Sequence, residues 1–308
     1  MVGQNNSPKV KNVQTLIIIG ISLVVPVLIV LTTIVSEKRN ATVTSDGSAQ
    51  AYVKEIDDWH AKRINNLKRE HGWLSLVALQ WMKEGKNHID SLGEATLQRG
   101  RVRIDIDPRV AATLNGVRFT SGMVKTDQDT AGADTVVNGS RAFTVIKRGD
   151  QFAMRVWDAN AAQRTQLVDI ERYPVSQRWK VDARWEHYQV PKKVQIETAI
   201  PGMVDTGMVT GVAIFTLDDK EYRLEPIIED GVSDYFFIIG DATNGRETYG
   251  GGRYLYSAPP KNGKIVLDFN KLTNPPCVFT DFATCPRPFP GNRLAVRIEA
   301  GEKKYGAH

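Results

Sequence analysis

A chain of 308 residues that is 42% hydrophobic and 24% charged has the composition of an ordinary folded protein, long enough for one large domain or two small ones. Its formal net charge of +5 is thin over that length and no dense Lys/Arg run occurs. This argues against nucleic acid as a partner, because phosphate-backbone binding needs a basic patch or stripe.

A short tail, residues 1–13, precedes the apolar run "QTLIIIGISLVVPVLIVLTTIV" over residues 14–35. From Leu16 to Val35 no residue is charged. At about 1.5 Å per residue such a run matches a bilayer core of about 30 Å. Pro26 does not exclude a span, since membrane helices tolerate proline. A cleaved signal peptide would have a shorter apolar region ending in small residues, and "TTIVSEKRN" lacks such a site. The expectation is an uncleaved anchor in the cell membrane. Lys9 and Lys11 before it balance Lys38 and Arg39 after it, so the positive-inside rule does not orient it. The short leading tail favours a periplasmic or extracellular soluble domain.

Residues 36–50 are polar and small and read as a linker, leaving residues 51–308 as the folded domain. Tyr52, Ile56, Trp59 and Leu67 recur at near-helical spacing and predict an amphipathic helix ending near His71-Gly72, with Gly72 as a left-handed cap. "WLSLVALQWMKEG" fits a short helix or a buried strand. Beyond residue 95, "RVRIDID", "FTVIKRGDQFAMRVWD", "VTGVAIFTLDDKEYRLEPI" and "DYFFIIGD" are short β-rich runs broken by turn residues, with Asp218-Asp219 placed as a turn. No strand–helix–strand repeat occurs. The fold class expected is mainly β, with antiparallel sheets packed as a sandwich or barrel behind one helix. Residues 172–195, with Pro174, Pro191 and many aromatics, are a possible sub-boundary. In "RVWD", Arg155 and Asp158 are weaker site candidates, and Trp157 shares a face with Arg155 on which it could stack.

"ETYGGGRYLYSAPPKNGKIVLDFN" predicts a hairpin that pairs Tyr256 with Ile265 and Tyr254 with Leu267. The period of two then sets Arg253 opposite Asp268, with Asn270 on the same face, beside three glycines that leave room for a ligand. A surface ion pair with a glycine bulge is the rival reading. "GGG" is not G-x-G-x-x-G and opens no helix, so no dinucleotide fingerprint is present and no cofactor is expected.

The next segment, "NPPCVFTDFATCPRPFPGNR", holds both cysteines and five of 14 prolines. Proline excludes a central strand or helix interior, so a rigid, non-regular clamp is expected, burying Val278, Phe279, Phe282 and Phe289. It would wall the candidate site and bring Arg293 to it. Asn274 and Asn292 would satisfy its backbone. Cys277 and Cys285 are a disulfide candidate, with structural thiols or a nucleophile as alternatives. Zinc needs three or four ligands, and neither the cysteines nor the five histidines show such a spacing, so no metal is expected. No G-x-S-x-G elbow is present.

The stretches "HGWLSLVALQWMKEGKNHIDS", "RVWDANAAQR", "RYPV", "ETYGGGRYLY" and "LDFNKLTNPPCVFTDFATCPRPFPGNRLAVRIEAGEK" resemble motifs of the DUF1684 family, a bacterial domain of unknown function, from about Trp59 to Lys303. The resemblance implies no activity. The reading is a membrane-anchored β-rich domain that binds a small molecule or a protein partner. The alternative is a hydrolase-like enzyme built on Arg253, Asp268 and Asn270.

Overall fold

The computed structural model describes residues 47–229 and 231–306. The anchor predicted at residues 14–35, and most of the linker, lie outside them. Among the described residues no helix is long and apolar enough to cross a membrane. The chain divides between Lys54 and Glu55, and the packing below is that of the larger unit.

Helix α1 covers residues 47–67, so residues 47–50, expected in the linker, are helical. Beyond the division it buries Ile56, His60, Ile64 and Leu67, a stripe at helical spacing. His60 and Ile64 thus take the place expected for Trp59. The helix also stops four residues short of His71. Gly72 is not a left-handed cap, since its φ is −89°. Its value is close approach: a Cβ there would sit 2.7 Å from the Leu67 carbonyl oxygen. The ambiguous segment after it becomes a 3-10 turn, Trp73–Ser75, and a strand.

Strands β1 (Leu76–Trp81), β2 (Gly85–Ile89), β3 (Gly93–Gln98), β4 (Arg101–Ile106), β5 (Ala112–Leu114), β6 (Val117–Phe119), β7 (Ser121–Val124), β8 (Val136–Asn138), β9 (Arg141–Arg148) and β10 (Gln151–Asp158) form two antiparallel sheets. Their orders are β1-β10-β9-β8-β5-β6 and β2-β3-β4-β7. Ile89, Leu97 and Ile104 of one sheet pack with Phe143, Val145, Phe152, Met154 and Val156 of the other. Each such side chain, fully buried, contributes about 1.5–3 kcal/mol before entropy is counted. The short helix α2 (Ala162–Gln166) follows.

Strands β11 (Lys180–Glu197), β12 (Val204–Leu217), β13 (Lys220–Leu224) and β16 (Lys264–Asp268) make a third antiparallel sheet, ordered β13-β12-β11-β16. Strands β14 (Tyr235–Ile239) and β15 (Arg253–Ser257) make a two-stranded fourth. This ribbon is buried on both faces. Phe237, Ile239 and Leu255 pack on the third sheet, while Phe236, Ile238 and Tyr254 face a separate apolar cluster with Ala283, Cys285 and Phe289. The molecule is therefore mainly β with antiparallel sheets. Strand β11 runs through most of residues 172–195, with a bulge in its pairing to β12 between His187 and Lys192.

The predicted hairpin is corrected. Strand β15 pairs with β14, setting Arg253 opposite Ile239, while β16 pairs with β11, setting Asp268 opposite Lys180. Alternation fixes which face a residue takes but not which strand its neighbour is, and β14 offers a purely apolar partner. The proline-rich segment is largely irregular, as expected, apart from 3-10 turns at Pro276–Val278 and Pro290–Asn292. Val278, Phe279 and Phe289 are buried. Asn292 holds the Glu225 backbone through bonds of 2.9 and 2.8 Å, and Asn274 donates to the Lys303 carbonyl at 2.7 Å.

Candidate functional site

Arg253 does not meet Asp268. It is 1% exposed, and its guanidinium donates to the carbonyls of Ala300, Ile298 (2.8 Å) and Glu302 (3.3 Å). Asp241 lies 3.4 Å away as its counter-ion. Burial pushes the Arg253 pKa down and Asp241 opposes that. All of this ties the irregular carboxy-terminal stretch to the ribbon. Asp268 instead caps the turn after β16, accepting from the backbone and side-chain nitrogens of Asn270 at 3.2 and 3.1 Å. Asn270 bonds both backbone groups of Ser176 at 3.0 and 2.9 Å. Arg293 is exposed, bridging Gly240 through its backbone. The room expected beside the glycines is filled by protein. At Gly252, where φ is +90°, a Cβ would meet Pro288 Cγ at 2.5 Å.

The cavity lies elsewhere. It encloses about 480 Å³ between the outer face of the first sheet and the proline-rich segment. Its position follows from the pleat. In β10, Phe152, Met154 and Val156 face the sandwich core, so Arg155 faces away from it. Met154 is opposite Val145 and Gln151 opposite Arg148, which puts Arg148 on the same outer face. The opposite wall brings Cys285, Pro286, Tyr254 and Phe236, and α1 contributes Arg63.

Three guanidinium groups therefore line one cavity, and they differ in how they are held. Arg63 pairs with the buried Glu302 at 3.2 Å and donates to the Asn274 carbonyl at 3.0 Å. Arg148 pairs with Asp127 at 2.6 Å and reaches Thr284 Oγ1 at 3.3 Å. Arg155 lies 5.2 Å over the Trp73 ring, a cation–π contact, and not on Trp157. Its Nε is buried with no hydrogen-bond partner, and among the described residues no carboxylate forms an ion pair with it. Burial, reinforced by the Arg148 charge, pushes its pKa down to about 10, so it stays charged at neutral pH. Asn274 Oδ1, on the same wall, is also buried without a partner.

The cavity has acidic lining too. Asp205 and Glu229 contribute carboxyls. Tyr256 donates to Glu229 at 3.2 Å, and burial raises the Glu229 pKa. No histidine is among the cavity's residues. Among the described residues no group of His, Cys, Asp and Glu could hold a metal ion. Cys277 and Cys285 are both free thiols in this structure. The lining offers cationic groups that could meet an acid oxygen and aromatic faces that could meet an apolar body.

Sequence reasoning missed Arg63, Arg148, Glu229 and Trp73 because they come from four distant segments. Arg155 carried a signal, a charge on the strand face opposite an apolar row, but no single-strand pattern shows what covers that face.

Residues 165–303 match the model of the family described as a protein of unknown function, DUF1684. The resemblance holds there, and the motif stretches upstream of residue 165 lie outside the match. Among curated proteins none matches. A similar solved structure is the solution NMR structure of an uncharacterized protein from gene locus rrnAC0354 of Haloarcula marismortui. It is 24% identical over 47% of this chain and 82% of that one, with a TM-score of 0.40.

Proposed function

We propose that the domain from Glu55 onward binds a small organic anion, a carboxylate or phosphate monoester with an apolar body, in the cavity around Arg155. The observation that carries this reading is Arg155 itself. Arg155 is half-buried, its Nε is sealed from solvent without a partner, and no carboxylate pairs with it among the described residues, so its charge is under-compensated by the fold. A ligand anion would supply the missing partner, with a bidentate geometry that Arg favours. Arg63 and Arg148, each neutralised by its own carboxylate, flank it. The aromatic rings of Trp73, Phe236 and Tyr254 suit an apolar ligand body. In this reading residues 14–35 tether the domain to the cell membrane with the cavity outside the cytoplasm. The hydrolase alternative at Arg253, Asp268 and Asn270 finds little support, because each of those side chains is bonded to protein.

Titration calorimetry on the full-length chain in detergent tests this, using phenyl phosphate, benzoate and uncharged benzyl alcohol. One-site binding of an anion that weakens with salt, no binding of the alcohol, and loss in R155M support the proposal. Equal binding of the alcohol, or no binding of either anion, would sink it.

A further inference from the structure

The two cysteines sit on one short segment but in unlike places. Cys277 is half-buried in the turn Pro276–Val278, and Cys285 is buried at 4% exposure on the cavity wall. They are in contact: the backbone N–H of Cys277 donates to Cys285 Sγ at 2.9 Å. The Cys277 thiol donates to Tyr249 Oη at 3.6 Å. A hydroxyl can rotate, so the same phenol can turn its proton toward a Cys277 thiolate. Prolines 275, 276 and 286 fix the backbone around both thiols, which limits how far they can drift apart. With only two soft ligands, zinc has too few partners here.

We propose that Cys277 and Cys285 are a reversible dithiol–disulfide pair, in which Cys277 is the thiol attacked by a hydroperoxide and Cys285 resolves it. The Cys277 thiolate attacks the peroxide's terminal oxygen. The O–O bond breaks, the alcohol or water leaves with one proton, and Cys277 becomes a sulfenic acid. The Cys285 sulfur then attacks the Cys277 sulfur, its own proton leaving with the sulfenic hydroxyl as water. Two thiols thus give two electrons to one peroxide, and an external dithiol restores them by exchange. The electrostatics agree with these roles. The hydrogen bond from Cys285, with help from Tyr249 and the backbone, lowers the Cys277 pKa against the effect of burial. Burial, then Cys277, drives that of Cys285 up. This pair is independent of the anion reading, though Cys285 shares the cavity wall.

The experiment uses the reduced full-length chain, its folding checked by melting, with peptide mass mapping. Limiting hydrogen peroxide is expected to remove two hydrogens from the fragment holding both cysteines, and dithiothreitol to restore them on the folded protein. C285S should take a dimedone label at Cys277, while C277S leaves Cys285 unlabelled. In the wild type, iodoacetamide should modify Cys277 about tenfold or more faster than Cys285, the change that one pKa unit produces. Three outcomes would overturn the proposal: a bridge that dithiothreitol reduces only after unfolding, sulfinic acid without a bridge, or equal labelling of the two single variants. Should C277S not fold, the wild-type alkylation rates and the reversibility of the bridge decide alone.

Discussion

Two arginines in this molecule, Arg253 fully buried and Arg155 half-buried, have opposite surroundings. Arg253 is enclosed by three carbonyls and Asp241, so its charge is matched within the fold. Arg155 rests on an indole ring with a buried nitrogen left unbonded, in the wall of a cavity. The comparison teaches that burial of a charge does not by itself mark a site. A matched guanidinium holds the chain together, whereas an unmatched one beside open volume is, in the proposed reading, the one left for a ligand. Stability and binding should therefore respond to the two residues in opposite ways.

The largest effect is expected at the matched residue. R253M leaves Asp241, 1% exposed in its side chain, buried without its cation. Unfolding in urea should show a loss of about 3–5 kcal/mol. A loss under about 1 kcal/mol would break the comparison at its first term. E302Q comes next, because Glu302 accepts from the Asn274 N–H at 2.6 Å and from Arg63 at 3.2 Å. It should cost about 1.5–3 kcal/mol, the range for hydrogen bonds to a charged group. D127N should cost less than about 1 kcal/mol, since its pair with Arg148 is partly exposed. By releasing Arg148 it should also tighten phenyl phosphate binding, and weaker binding would count against Arg148 as a cavity cation.

Glu229 gives a prediction in pH. Burial raises its folded pKa above the unfolded value of 4.5. Between those two values the native state binds more protons than the unfolded one, so stability falls as pH rises through the window. E229Q should remove that fall and leave a flatter stability curve at its upper edge. An unchanged pH slope would show that Glu229 is not held protonated by the cavity.

The local layer of this fold is legible in the chain. Asp218 and Asp219 both take positive φ, 49° and 59°, at the turn their position between two alternating runs predicts. Apolar residues at period two in "FTVIKRGDQFAMRVWD" assign β9 and β10 and their core face correctly. The partner of a strand is a different question. Tyr254 and Leu255 are both buried because β15 lies between two apolar clusters, so alternation there predicts no solvent face and no unique neighbour. The hairpin fails for that reason, and the site built on it fails with it. The clamp is legible in its prolines and asparagines, yet it walls a cavity on the other side of the ribbon. Arg155, Arg148, Arg63 and Trp73 meet only when the first sheet's outer face is covered. That long-range contact leaves no mark in any one segment.

The most direct test of the account is the stability of R155M against the wild type, with and without phenyl phosphate. Without the anion, the variant should stay within about 1 kcal/mol of wild type or exceed it, because methionine keeps the packing on Trp73 and removes an unmatched charge. With the anion at about one hundred times its dissociation constant, the wild type should gain about 2.7 kcal/mol and the variant nothing. A variant that is several kcal/mol less stable without ligand, or that gains as much from the anion as the wild type, would contradict the claim that Arg155 is held for a ligand.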